Sequence, residues 1–539
     1  VATRIDSRRL PGANLFDAGG GAILDVRLEG EDPAAVVEAW AASVRRVLHA
    51  VGWDRERTAW RRSGDDLSLF LTAPGDALYA ATEVSELAWE VASGAPERDV
   101  EPALDDVRRA IAEEQSPAWR ALRHEAARRG VAFIADAREV TVGMGAGGVT
   151  FPAGEIPPPE RVAWDRIHDV PVVMVTGTNG KSTTVRLLGA IVAAAGQVPG
   201  ISTTDGLKVG ADAIGSGDYS GPEGARRILR DRRVEAAVLE TARGGIQRRG
   251  LVVPQVDAAA ITNVAEDHLG EFGIHGLDDI ADLKMVVARA IKPGGTLVLN
   301  ADDAILRARA PAATAAHVAW FSLRDAGRLL DVASIPVTFG GAARHNVANA
   351  MAAALLARAL GIDDETVARG LAAFRNRPED NPGRLNLIAL GGATLLIDYA
   401  HNPHGMDALV AVARELPAKR RLLLIGQAGD RDDAAIRALA RAGWALRPDA
   451  VVIKEMADFL RGRSPGEIPA VLEAELLRLG ADSGRIVRAP SEIEGVRAAL
   501  RWAREGDLLV LPTHAERREV LELIDTLGRK RWRAGTPVP

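Results

Sequence analysis

Apolar positions along the chain follow two rhythms. VPVVMVTG (170–177), VEAAVLE (234–240), VDAAAITNV (256–264) and GTLVLN (295–300) are short, nearly unbroken apolar runs. Such runs suit strands buried on both faces of a parallel sheet. Between them lie segments with helical spacing, such as STTVRLLGAIVAAAG (182–196). This alternation predicts a doubly wound α/β domain. It repeats after RNRPEDNPGR (375–384), with ATLLIDYA (393–400), RLLLIGQ (421–427), AVVIKE (450–455) and DLLVLP (507–512) as further parallel strands. Before residue 148 the pattern is mixed. Strand-like GAILDVRL (21–28) and DLSLFLTA (66–73) accompany helix-like DPAAVVEAWAASVRRVLHAVG (32–52) and SPAWRALRHEAARRG (116–130), which predicts an α+β domain. GGVTFPAGEIPPPERVAWD (147–165), with prolines at 157 to 159, reads as a linker. The expected domains are therefore 1–160, including the Pro-rich linker, 161–382 and 383–539.

Composition narrows the chemistry. A chain of 539 residues with 47% hydrophobic residues has enough apolar material for several cores. The absence of cysteine removes thiol nucleophiles, thiolate metal sites and disulfides. A net charge of -6 gives no electrostatic footprint for nucleic acid or an anionic membrane. The opening segment has no apolar signal core, and no apolar run approaches the roughly 18 to 20 residues of a membrane span. The sequence therefore points to a soluble, cytoplasmic protein acting on small molecules or peptides. Whether it forms a homo-oligomer stays open.

Between the first buried strand and its helix stands Gly177-Thr178-Asn179-Gly180-Lys181-Ser182-Thr183. Two glycines allow a tight loop whose N–H groups, with the helix N-terminus, face phosphate oxygens. Lys181 is then placed for the β and γ phosphates, and the Ser182 hydroxyl for Mg²⁺. Val175 occupies the position of the first glycine in the strict phosphate-loop pattern. Glu240 ends the next strand, where open α/β sheets hold their ligands, and Asn263, Asp267 and His268 follow another. Each alone also reads as a cap or a surface residue. Together with the loop they read as one cation site.

TGTNGKST, Glu240, TNVAEDHLG, RHNVANAMAA, NPGR and DYAHNP, in that order, resemble the Mur ligase family from about Ile167 onward. These are ATP-dependent enzymes joining a carboxylate to an amine. ETARGGIQRRGL, SGDYSGPEGARR and KEMADFLRGRSPGE are similar to the Mur-ligase-like half of cyanophycin synthetases, and LPGANLF with the segment 116–148 is similar to their N-terminal domain. Those synthetases carry an ATP-grasp domain between the two regions, which this sequence replaces with the Pro-rich segment.

The resemblance implies Mur ligase architecture with a C-terminal Rossmann-like domain, and ATP and Mg²⁺ as cofactors, the Mg²⁺ held by Ser182, Glu240 and His268. It also implies an acyl-phosphate route joining an arginine-like amine to a carboxylate acceptor. It places Lys181, Glu240, His268 and Lys284 at the reacting centre, with Lys284 near a lysine that many family members carbamylate. Asn349, Arg384 and Asp398 become nucleotide contacts, with ATP between two domains and a hinge near 378–383. His401 and Asn402 lie nearby. Arg243, Arg248 and Arg249 suit an anionic acceptor, and Lys454, Glu455, Arg461, Arg463 and Glu467 suit the amine side. A nucleotide-binding subunit that has lost chemistry is the alternative. The retained Lys181, Glu240 and His268 argue against it. A P-loop kinase or ATPase without ligation is disfavoured by the residue set in the following domain.

Overall fold

The computed structural model describes residues 2–267, 274–313 and 316–538. The chain divides into two compact units, Val1–Ser322 with Ala352–Gly370, and Leu323–Met351 with Leu371–Pro539. The division by compactness thus differs from the expected breaks at 160 and 382. Residues 1–160 share a unit with the phosphate loop, and 323–351 join the C-terminal unit.

In the first unit, strands Thr3–Leu10, Gly21–Arg27, Asp66–Thr72 and Thr58–Ser63 lie in that order as an antiparallel sheet. Alternation sets its faces. Ala22, Leu24 and Val26 join Leu67, Leu69 and Leu71 in a core with Trp40, Val44 and Val84 from helices Pro33–Ala50 and Leu78–Ala92. Ile23 faces the opposite way, with Leu10 and Phe70.

The Pro-rich segment is not a free linker. Val149–Pro152 is the third strand of a small antiparallel sheet with Phe133–Ala135 and Glu139–Val142. Val162 and Ile167 pack on this sheet with Leu122 and Ala126 of helix Pro117–Arg129. Trp164 Nε1 donates to the Pro159 carbonyl at 2.8 Å. The prolines deny helix, but they leave the extended backbone that a small sheet needs.

The central sheet has eight strands, in the order Asp212–Ser216, Gly206–Val209, Pro199–Thr203, Ala236–Glu240, Val172–Thr176, Val256–Ile261, Ile291–Asn300 and His317–Phe321. From Pro199–Thr203 onward the pairings are parallel. The first two strands are antiparallel and were not visible in the apolar pattern.

In the second unit six strands follow the order Asn386–Leu390, Ala393–Asp398, Leu508–Pro512, Arg421–Ile425, Ala450–Lys454, Ile486–Ala489, all parallel except the first. Helices Pro403–Glu415, Asp433–Trp444 and Glu467–Arg478 cover one face, and Glu492–Trp502 and Arg517–Arg529 the other. This is the doubly wound arrangement the strand runs predict. Among the described residues, no helix is long and apolar enough to cross a membrane.

Candidate active site

The phosphate loop joins the wholly buried strand Val172–Thr176 to helix Lys181–Ala194. Its two glycines are required by geometry. Gly177 has φ +145°, and a Cβ there would lie 1.9 Å from Thr262 Oγ1. Gly180 caps the helix in the left-handed region at φ 87°. The segment after Val256–Ile261 braces the loop. Thr178 N donates to Asn263 O at 3.0 Å, Asn179 N donates to Asn263 Oδ1 at 3.0 Å, and Thr262 Oγ1 donates to Asn179 O at 2.6 Å. Asn263, read from the sequence as part of a cation site, is therefore a loop-bracing residue. Lys181 Nζ donates to the Thr178 carbonyl at 2.9 Å, curling over the loop.

Ser182 and Glu240 meet although they are 58 positions apart, since strand Ala236–Glu240 neighbours strand Val172–Thr176, which leads through the phosphate loop into the helix that carries Ser182. Ser182 Oγ donates to Glu240 Oε2 at 2.7 Å, and Thr204 N donates to the same oxygen at 3.2 Å. Glu240 is 2% exposed, and its Oε1 is buried with no hydrogen-bond partner among the described residues. A carboxylate oxygen left this way is a costly arrangement unless a cation completes it. Ser182 Oγ lies 3.2 Å from Thr204 Oγ1, so three hard oxygen donors converge, the set that Mg²⁺ prefers. Thr204 was not singled out in the sequence; its place after strand Pro199–Thr203 was the available signal. His268 lies outside the described residues.

Lys284, on helix Leu277–Met285, is buried, and its side chain makes no hydrogen bond or ion pair among the described residues. Burial pushes its amine well below the usual lysine range; Lys181 and Arg243 add to this, and Asp267 opposes it. Lys181, Lys284, Arg243 and Asp267 thus form one electrostatic neighbourhood. Arg243 opens helix Arg243–Arg249.

The second unit carries the other assigned residues. Asn349 lies in helix Arg344–Ala359 and donates to Asn346 Oδ1 at 3.0 Å. Asp398 ends strand Ala393–Asp398; it accepts from Leu385 N at 2.9 Å, and burial pushes its carboxyl up against the pull of Arg384. The Arg384 guanidinium sits 4.4 Å from the Tyr399 ring centroid and that of Arg517 sits 5.4 Å from it, a platform that the sequence did not reveal. His401 Nδ1 lies 3.0 Å from the Tyr399 carbonyl oxygen.

Several residues assigned to substrate from the sequence make contacts within the protein. Asn402 caps helix Pro403–Glu415, accepting from Gly405 N at 2.8 Å, as a buried Asn at that position does. Lys454 is wholly buried. It pairs closely with Glu492, donates to the Pro512 carbonyl at 2.7 Å, and lies 3.1 Å from His514 Nδ1. Burial keeps His514 well below the usual histidine range, so its Nδ1 accepts from Lys454 while Nε2–H donates to Ala400 O at 3.1 Å. Glu455 accepts from Gly466 N at 2.6 Å, Arg461 pairs with Asp430, and Arg463 pairs with Asp433 and Glu467 at 2.8 Å each. These charged groups hold the loops 429–433 and 455–467 together.

A family model described as the Mur ligase middle domain matches residues 175–357, and one described as the Mur ligase glutamate ligase domain matches 383–512. The cyanophycin synthetase of Trichormus variabilis is 36% identical over 390 residues, covering 67% of this chain and 43% of that protein. The chain thus spans under half the length of that relative. The UDP-N-acetylmuramoyl-L-alanyl-D-glutamate–2,6-diaminopimelate ligase of Geobacillus kaustophilus is 27% identical, covering 64% of this chain and 73% of that protein. Among solved structures, E. coli FolC in complex with DHPP and ADP matches at 20% identity and a TM-score of 0.49, covering 66% of this chain and 89% of that chain.

Proposed function

The chain belongs to the Mur ligase family, and from that premise we propose that it is an ATP-dependent carboxylate–amine ligase. The observation that carries this reading is Glu240: one oxygen is held by Ser182 and Thr204, and the other is buried beside a phosphate loop with no hydrogen-bond partner among the described residues.

In the proposed reaction, an oxygen of the acceptor carboxylate attacks the γ-phosphorus of ATP and ADP leaves. The amine nitrogen then attacks the acyl carbon and phosphate leaves, giving an amide. The first step brings two anions together, so the site's task is to neutralise charge. Gly177, Thr178, Asn179, Gly180 and Thr183 cradle phosphate, and Lys181 contributes its ammonium. Ser182 and Glu240 are the residues that would hold Mg²⁺, with His268 assigned by resemblance alone; bound there, the ion supplies positive charge between the anions. Arg243 orients the acceptor carboxylate. The buried amine of Lys284, with its lowered proton affinity, is available for the carbamylation its position suggests. Asn349, Arg384 and Asp398 are assigned to the nucleotide, again by resemblance. The amine is an amino acid or a related compound, arginine-like by the same resemblance.

The test is phosphate release from ATP across a panel of carboxylate acceptors, including aspartyl peptides, with each amino acid in turn and products read by mass. A product heavier by one amine less water, formed only with ATP, is the expected result. ATP binding with no product for any pair would overturn the ligase reading in favour of a nucleotide-binding subunit.

A further inference from the structure

The loop 376–386 of the second unit, which carries Arg384, is tied together by three asparagines, Asn376, Asn381 and Asn386, all of them buried. Asn376 Nδ2 donates to the Leu385 carbonyl at 3.0 Å, and Asn381 Nδ2 donates to Asn376 Oδ1 at 2.9 Å. Asn386 uses its whole amide. Its Nδ2 donates to the Asn376 and Asn381 carbonyls at 3.0 Å each, and its Oδ1 accepts from Gly383 N at 2.7 Å. Leu385 N donates to Asp398 Oδ2 at 2.9 Å, which fastens the loop to the end of strand Ala393–Asp398.

The backbone that these bonds hold is not relaxed. Asn376 and Leu385 stand in the left-handed region, at φ 56° and φ 51°. Asparagine tolerates that region, but leucine meets a steric cost there with no side-chain bond to offset it. Such a conformation persists where its surroundings over-determine it, and it gathers at sites that must present a group in one place. The group presented is Arg384, the residue before Leu385. Its guanidinium lies 4.4 Å from the Tyr399 ring centroid, and its Nε is buried with no hydrogen-bond partner among the described residues. No other arginine of the second unit has a buried side-chain nitrogen left so among the described residues. A buried guanidinium N–H without an acceptor is costly, and an arriving oxyanion supplies the acceptor.

We propose that Asn376, Asn381 and Asn386 are positioning residues for Arg384: they fix the loop before any ligand is present, so that the guanidinium stands ready for an oxyanion of the nucleotide. The proposal rests on the ligase reading, which assigns Arg384 to the nucleotide. It makes the segment 378–383 a rigid cradle, where the sequence suggested a hinge. The asparagines act through Arg384 and not on the ligand, since their amides are spent within the loop.

Two measurements on the full chain test it. In the ligand-free wild type, the Gly383 and Leu385 amides are expected to exchange with deuterium as slowly as those of strand Ala393–Asp398. Fast exchange would overturn the proposal. The second measurement is calorimetric binding of the ATP analogue AMPPNP, with Mg²⁺, to the wild type, Asn386→Ala, Arg384→Ala and the double variant. Each single change is expected to weaken binding about tenfold or more, and the double variant is expected to match Arg384→Ala within about twofold. A merely structural asparagine would instead weaken binding by the same factor in both backgrounds. Asn381→Ala, which removes one bond and leaves Asn386 in place, carries the same cycle should Asn386→Ala fail to fold. Unchanged binding in the asparagine variant or in Arg384→Ala, or a further loss in the double variant, would overturn the proposal. A wild type that binds no AMPPNP would overturn the ligase reading, and with it the nucleotide as the oxyanion, whereas slow exchange would still uphold the braced loop.

Discussion

Glu240 shows what a single side chain reveals. Its Oε2 satisfies Ser182 and Thr204, while Oε1 is enclosed with no donor to accept from among the described residues. Glu240→Gln keeps an oxygen for both donors and removes the charge. The metal-free variant is expected to be as stable as the wild type to within about 1 kcal/mol, while the Mg²⁺ requirement of turnover rises at least about tenfold. Thermal melts and a metal titration check both halves; lowered stability with an unchanged metal response would make Glu240 a structural acceptor only. The Ser182–Glu240 pair was legible because a phosphate loop and a strand-end carboxylate are both local signals. Thr204 and the Lys454, Glu492 and His514 set were not. They join positions 36, 38 and 60 residues apart, and no local pattern marks them.

Elements impose constraints that no single residue does. The turn from strand Val172–Thr176 to helix Lys181–Ala194 leaves no space beside Thr262, so Gly177→Ala must shift the backbone. A loss of about 3 kcal/mol or more is expected by chemical denaturation, with a larger proportional loss of nucleotide binding. Helix Arg344–Ala359 carries the partly buried His345, whose pKa burial lowers to about 4, with His404 adding to the effect. The unfolded chain takes up that proton near pH 6.5, so the contribution to stability is full above 6.5 and is lost as pH falls toward 4. About 2 kcal/mol should go between pH 7 and pH 5, and His345→Gln should flatten that part of the stability profile. Strands buried on both faces were readable because an unbroken apolar run has few other uses. The antiparallel pair Gly206–Val209 and Asp212–Ser216 was not, being short, half-exposed and rich in glycine and polar residues.

At the scale of the molecule, the first compact unit spans what the sequence divided in two. Leu251 N donates to Ala13 O at 2.8 Å, Arg289 donates to Asn14 O at 2.6 Å, and Ile246, Leu251 and Ile274 share a core with Ala13. A fragment of residues 161–539 is therefore expected to aggregate, or to melt about 5 °C or more below the full chain. Equal melting would make residues 1–160 an independent appendage. The prolines at 157 to 159 exclude helix without excluding tertiary packing. In the C-terminal unit the Lys454 ammonium donates to Glu492, Pro512 and His514 with its side chain at 0% exposure. An amine-acylating reagent reaches such a lysine only when the fold around it opens. Mass-resolved acylation of Lys454, timed against the exposed Lys530, would serve as a clock for the opening of that unit in the unmodified protein, with no label added.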